Sequence, residues 1–345
     1  MDPWYEENLV CPVDHFPLRH SNSALTCSEG HDFLVVDGVP VMLLNDVDPT
    51  LRVATASLRR ATEDNNIVDK RAPRLYLESL GISEDEKKGV VWLQNQEMTK
   101  IDPVVLFIIA ATNGITFKHL IGKLDEYPIP ELRLQEAKDK RFLDLGCNWG
   151  RWSIAASQKG YSAVGIDPSL GAIMAARRTA EEFGLPIKYL VGDARYLPFK
   201  DVSFDVVFSY SVLQHFSKEN VKITLKSAKR VLTKGGVSYI QMPNFMGIRC
   251  LQHQIKRRFR DARNFEVRYW SIPELKEIFE KTIGKTEVSI DCFFGLGLQE
   301  SDMRFMPYKL KALVMLSELL RNMGNVLGFL KYVSDSVYVI SEKRS

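Results

Sequence analysis

Directly after an apolar run and before a helical one lies a small-residue turn, Asp144-Leu145-Gly146-Cys147-Asn148-Trp149-Gly150. Glycine accepts left-handed backbone at no steric cost, and asparagine tolerates it, so main chain can approach a ligand closely here. Asp144, inside the end of the run, can accept a hydrogen bond from an ammonium or amide. Asp167, 21 residues after Gly146, closes the next apolar run, where a carboxylate can take both hydroxyls of a ribose. A dinucleotide fingerprint starting at Gly146 needs its third glycine at position 151, which is Arg151, so the pyrophosphate-cradling version fails and nicotinamide cofactors are disfavoured. The pattern suits a nucleoside without a pyrophosphate.

Three further groups of residues have chemical potential. His215 comes after the apolar run Phe204–Ser209 at the edge where ligands of open parallel sheets sit, which makes it the candidate general base, with orientation of a helix as the plainer reading. Ser209 and Tyr210 are candidates to line the same pocket. Near the amino terminus, Cys11-Pro12-Val13-Asp14-His15 and Cys27-Ser28-Glu29-Gly30-His31 each present Cys-x3-His. Cys11, His15, Cys27 and His31 can then form a tetrahedral set for zinc, and a module of about 40 residues has too little core to be comfortably stable alone. A metal-free remnant stands as the alternative, and either way the role is structural.

The elements that would position these groups are read from periodicity. After Lys140, apolar runs at Arg141–Leu145, Ala163–Ile166, Ile187–Val191, Phe204–Ser209 and Val237–Gln241 alternate with amphipathic stretches, which predicts a parallel sheet with helices on both faces, a doubly wound α/β fold. Candidate strands at Thr286–Ile290 and Ser336–Ser341 would add an antiparallel edge. Three regions are expected: a small β module at 1–48, a helical substrate-side or lid region at 49–136, and the main domain at 137–345 with insertions at about 244–270 and 299–333. The 345 residues have a net charge of +3, so no global basic field demands nucleic acid. The longest apolar run, 103–111, is too short to span a membrane. An acidic amino terminus and five cysteines without a disulfide framework predict a cytoplasmic location.

From 140 to 243 the chain resembles the class I S-adenosylmethionine-dependent methyltransferases. Asp144–Gly150 looks like their first motif and Gly165-Ile166-Asp167-Pro168-Ser169 like their ribose-binding strand end. Gly192-Asp193-Ala194-Arg195-Tyr196-Leu197-Pro198-Phe199 is similar to the loop whose acid binds the adenine amino group. Phe204–Ser209 with Val212–Phe216 resembles the fourth strand and the helix after it, and Val231–Gly236 the turn into the fifth. The resemblance implies a seven-stranded Rossmann-like sheet with an antiparallel last strand. It also implies S-adenosylmethionine held by Asp144, Gly146, Cys147, Asn148, Gly150, Asp167, Pro168, Asp193 and Ala194. Asn148 departs from the family's usual glycine. Residues 9–44 resemble the zinc-ribbon-like domains that activate or precede some methyltransferases, although the family norm is Cys-x2-Cys and Asp14 falls on its second position, so the resemblance leaves a site rebuilt with Asp14 or with His15, or lost.

Amino-methylating relatives often carry Asn/Asp-Pro-Pro-aromatic after the fourth strand, whereas Ser209-Tyr210-Ser211-Val212 stands here, so oxygen or carbon acceptors are favoured. The expectation is O-methylation of a small-molecule or glycan-type acceptor; RNA methylation and a non-catalytic donor-binding subunit are the rivals. The stretch 253–268, with six Lys and Arg against two acids, reads as a solvated helix face before any phosphate, lipid-headgroup or RNA site. The apolar residues of 309–330, at helical spacing, read as core or lid packing before membrane-surface attachment.

Overall fold

The computed structural model describes residues 1–21, 23–46, 52–63, 75–96, 100–295 and 297–344. The boundary expected near residue 48 therefore lies outside the described residues.

Five strands form the parallel part of the main sheet: β5 (Arg141–Leu145), β6 (Ser162–Asp167), β7 (Lys188–Val191), β8 (Phe204–Ser209) and β9 (Leu232–Pro243). Their Val-, Ile- and Phe-rich runs are buried on both faces, as parallel strands covered by helices must be. Two more strands, β10 (Gly284–Cys292) and β11 (Ser336–Lys343), complete the order β10-β11-β9-β8-β5-β6-β7. β11 runs antiparallel between β9 and β10, so the expected antiparallel pair forms, with β10 as the outer member. This is the seven-stranded, doubly wound Rossmann-like sheet, with helices α5 (Arg151–Gln158), α6 (Leu170–Glu182), α7 (Lys218–Val231) and α9 (Ile272–Thr282) on its faces. β9 starts five residues before the expected run. Thr233–Gly236 loop out of the ladder between Leu232, opposite Phe204, and Val237, opposite Val206, with Gly235 at φ 70°, so the expected turn lies inside the segment bounded as β9.

Strands β1 (Arg19–Ser21), β2 (Ala24–Thr26), β3 (Asp32–Val36) and β4 (Val39–Pro40) make a separate four-stranded antiparallel sheet. The module they belong to is not isolated. The Met42 N–H donates to the Val191 carbonyl, Val10 to Pro198, and the Tyr5 hydroxyl to the Tyr189 carbonyl at 2.7 Å. Leu9, Leu25 and Phe33 share one apolar cluster with Leu145, Ile166 and Leu190. A sheet this small cannot bury a core of its own, so it borrows one and in doing so covers the exposed edge of β7.

Helix α2 (Arg52–Glu63) and the short turn 77–79 are tied onto the turn after β6. Ser57 Oγ donates to the Pro168 carbonyl and accepts from the Leu170 N–H; Ser169 Oγ donates to the Ser79 carbonyl, and Ser79 Oγ accepts from Gly171. Helices α3 (Glu84–Gln96) and α4 (Val105–Asn113) come next, and α4 is the buried segment read from the apolar run.

The stretch expected to pack as core or lid forms α10 (Tyr308–Gly324), which sets Val314 and Leu310 against the main apolar core but leaves Met315, Leu316, Leu319 and Met323 largely in solvent. The docking side combines Leu310 and Val314 in the core, Ser317 Oγ accepting from the Phe293 N–H, and a half-buried ion pair between Glu318 and Arg133, which leaves much of the remaining apolar surface of α10 facing out. Among the described residues, no helix is long and apolar enough to cross a membrane.

Candidate active site

The glycine-rich turn sits at the carboxyl end of β5, braced by its neighbour β6: the Gly146 and Cys147 N–H groups both donate to the Ile166 carbonyl. Gly146 (φ +73°) must be glycine for a second reason, since a Cβ there would lie 2.4 Å from Val212 Cγ2. That contact packs the turn bearing His215 directly against the glycine turn. Asn148 adopts φ 49°, the left-handed conformation expected of an asparagine in a glycine position, and its side chain accepts from the Trp149 N–H. Where a dinucleotide fold would have its third glycine, Arg151 buries its side chain and pairs with Asp302.

Asp167 ends β6 with both carboxylate oxygens aligned, Oδ2 accepting from the Asn148 N–H at 3.0 Å and Oδ1 from the Ser169 N–H at 2.9 Å. Burial pushes its carboxyl up to about 6 despite those two donors. Asp144 accepts from Ser153 Oγ at 2.7 Å and is pushed up to about 7, again by burial. A cationic ligand arriving beside this pair would be stabilised by the charge that burial suppresses. Asp193 is gripped by Arg195, whose Nε lies 3.1 Å from Oδ1 and whose Nη2 lies 2.7 Å from Oδ2. Sequence reading missed this clamp, because an arginine two residues after an acid is as often solvated as folded back. Pro168 and Ala194 lie beside these acids in the chain, and the Pro168 carbonyl is already engaged by Ser57.

Three proposed pocket residues spend their side chains elsewhere. Cys147 is buried against Gly165, which leaves its backbone alone available to a ligand. Ser209 Oγ donates to the Leu145 carbonyl between neighbouring strands. The Tyr210 hydroxyl donates to Asp291 Oδ2 at 3.2 Å, in a cluster with Trp152 and Tyr338.

His215 closes a short turn at 213–215 and stacks on Phe265 with ring centroids 3.7 Å apart. Its Nδ1–H donates to the Phe265 carbonyl at 2.7 Å, which leaves the lone pair on Nε2, 3.2 Å from the Gln214 amide nitrogen. Burial lowers the imidazole to about 4; the Phe265 carbonyl partly offsets this and the Arg268 charge adds to it. The ring is therefore neutral over the ordinary range and a weaker base than a free imidazole, with the Gln214 amide at its Nε2 lone pair. A separate open cleft of about 690 Å³, bordered by Tyr127, Phe183 and Arg304, is lined by none of these residues.

In the amino-terminal module the structure gathers Cys11, Asp14, Cys27 and His31, with their ligand atoms all within 4.8 Å of one another. His15 is not among them, which corrects the Cys2His2 set. The chain turns between Cys11 and His15, where the His15 N–H donates to the Cys11 carbonyl; His15 takes φ 61° and stays exposed, and Asp14 is the residue that points back. Neighbouring ligand-atom separations of 2.9 to 3.5 Å fit the edges of a tetrahedron around a zinc-sized ion.

Residues 142–236 match the family model described as a methyltransferase domain. It is similar to the ubiquinone biosynthesis O-methyltransferase of Azorhizobium caulinodans, 32% identical over 111 residues that cover 32% of this chain and 43% of that protein. Similarity to the demethylmenaquinone methyltransferase of Thermus thermophilus is 34% over 108 residues, 31% of this chain and 48% of that one. The chain thus spans less than half the length of these curated relatives. Among solved structures, the YcgJ protein of Bacillus subtilis aligns with TM-score 0.43 and 19% identity, covering 62% of this chain and 94% of that one. Phosphoethanolamine N-methyltransferase 2 of Haemonchus contortus, solved with S-adenosyl-L-methionine, aligns with TM-score 0.43 and 21% identity, covering 61% and 50%.

Proposed function

We propose that this chain transfers a methyl group from S-adenosylmethionine to an oxygen of a small-molecule or glycan-type acceptor. The observation that carries the reading is the Asp167 carboxylate, fixed by the Asn148 and Ser169 amides beside the glycine turn and aligned to take the two ribose hydroxyls. Asp193 would receive the adenine amino group, Asp144 the positive amino-acid end of the donor, and the backbone of Gly146–Gly150 would lie against the nucleoside. Transfer is an in-line displacement: the acceptor oxygen forms its bond to the methyl carbon as the carbon–sulfur bond breaks, and the acceptor proton passes to Nε2 of His215. The helices of 52–120 and the segment 244–333 would enclose the acceptor. An O-methyltransferase among the similar proteins supports oxygen as the acceptor atom.

Cys11, Asp14, Cys27 and His31 would hold a structural zinc, which would organise the module against β7 without entering the reaction. Metal analysis of the purified chain tests this. One zinc per chain is expected, kept in His15→Ala and lost in Cys27→Ser; loss in both or neither contradicts the assignment.

The activity itself is tested by incubating the chain with methyl-labelled S-adenosylmethionine and fractionated RNA, lipid, protein and small-molecule or glycan extracts. Label in a small molecule, glycan or lipid is expected. Label in RNA would replace this reading with the RNA one, and no label anywhere would favour a donor-binding subunit.

A further inference from the structure

Most of the large apolar side chains exposed among the described residues lie in two segments, 246–270 and 307–333. Along α10, Tyr308, Met315, Leu319 and Met323 recur at helical spacing on the outward face, Val326 follows just past its end, and Tyr308 and Val326 are 87% and 85% exposed. In helix α8 (Ile248–Lys256), Ile248 and Ile255, each about half exposed, fall on one side, and Phe259 beyond its end is also about half exposed. The two segments are joined through the residues that flank them: Asn244 Nδ2 donates to the carbonyls of Tyr332 and Ser334, and the Arg249 N–H to Asp335.

The same segments concentrate positive charge. They hold eleven Lys and Arg against three acids, a net +8 in a chain whose total is +3, so the remainder of the molecule is negative. Two of the three acids are already committed, Glu318 to Arg133 and Glu266 to Arg260. Lys256, Arg258 and Arg263 have no carboxylate at ion-pair distance among the described residues, and neither do Lys309, Lys311 and Lys331.

We propose that this face docks the protein on the surface of an anionic lipid bilayer, with α10 and α8 lying in the headgroup layer and nothing spanning it. Exposed apolar stripes bordered by lysine and arginine are what interfacial helices require: the apolar side enters the acyl boundary while the cations meet lipid phosphates. A second copy of the chain fits poorly, since a two-fold contact would set two strongly positive faces against each other. The surface also reaches the candidate active site, because half-exposed Phe265 stacks on His215 and the Arg268 N–H donates to the Gln214 carbonyl. Docking would hold the His215 turn at the membrane surface. The proposal does not depend on which acceptor is methylated.

Flotation of the full chain with vesicles tests it. Binding is expected to vesicles of phosphatidylcholine mixed with phosphatidylglycerol, about tenfold weaker to phosphatidylcholine alone, and weaker again at high salt. The paired variants Met315→Glu/Leu319→Glu and Lys256→Glu/Arg258→Glu should each lose about tenfold while keeping the circular dichroism spectrum of the parent. Val326→Glu, at a fully solvated position, serves as an independent variant should the first pair not fold. Absence of vesicle binding, or binding that none of these variants weakens, would overturn the proposal. So would a dimer in solution that Leu319→Glu dissociates, combined with no vesicle binding, which would assign the face to a second copy.

Discussion

Asp167 and Asp144 are carboxyl groups whose burial works against the charge that donor binding needs. With Asp167 pushed up to about 6, a ligand whose hydroxyls bond the ionised carboxylate should bind well above that pH. Below it, affinity should fall about tenfold per unit as protonation competes. Calorimetric titration with S-adenosylmethionine at pH 7.5 and 5 should show that loss, and a flat profile would mean that Asp167 is not the ribose ligand. Asp144 makes the complementary prediction for stability without ligand. Its folded value of about 7 lies above the ordinary 3.8, so the folded chain holds this proton more tightly than the unfolded one. The stabilisation is complete below about pH 4 and is lost as pH rises through 7. Asp144→Asn should accordingly melt higher than the parent at pH 8 and converge with it towards pH 4. His215→Ala should reduce turnover by about a hundredfold or more with donor affinity unchanged, and full residual activity would remove His215 from the mechanism. The acids were legible in the sequence because each sits at the end of an apolar run, where strand geometry fixes its place. The choice between Asp14 and His15 was not, because it turns on one left-handed residue that neighbouring spacing does not reveal.

The elements show a similar division. Strands β5, β6 and β8 match their apolar runs because residues buried on both faces leave an unbroken signal. α10 was legible as a helix from its periodicity, but the ion pair that helps dock it was not, since Arg133 lies far away in sequence. The glycine turn is a test of local necessity. Gly146→Ala places a Cβ against Val212 at φ +73°, and should cost about 1–3 kcal/mol in urea unfolding while weakening donor binding. The small module depends on its neighbours and, under the zinc assignment, on its metal. Removing zinc with a chelator should lower the thermal midpoint by about 5 °C or more, whereas an unchanged midpoint would show that the borrowed core alone holds the module.

Across the whole molecule, three features converge at one end of the sheet. The carboxyl ends of β5, β6 and β8 bring together the glycine turn, Asp167 and the turn bearing His215, as open parallel sheets do at the point where strand order reverses. Helix α2 and the turn at 77–79 are tied to the turn after Asp167 through Ser57 and Ser79. The basic, apolar face reaches His215 from the other side through Phe265 and Arg268. No composition average revealed that face, because its +8 is offset by the negative remainder. The most direct test of the central claim is calorimetric titration of S-adenosylmethionine into the parent chain and into Asp167→Ala at pH 7.5. Saturable one-to-one binding by the parent, weakened at least about a hundredfold in a variant that still melts cooperatively, is the predicted result. Failure of the folded parent to bind, or equal affinity in the two proteins, would contradict it.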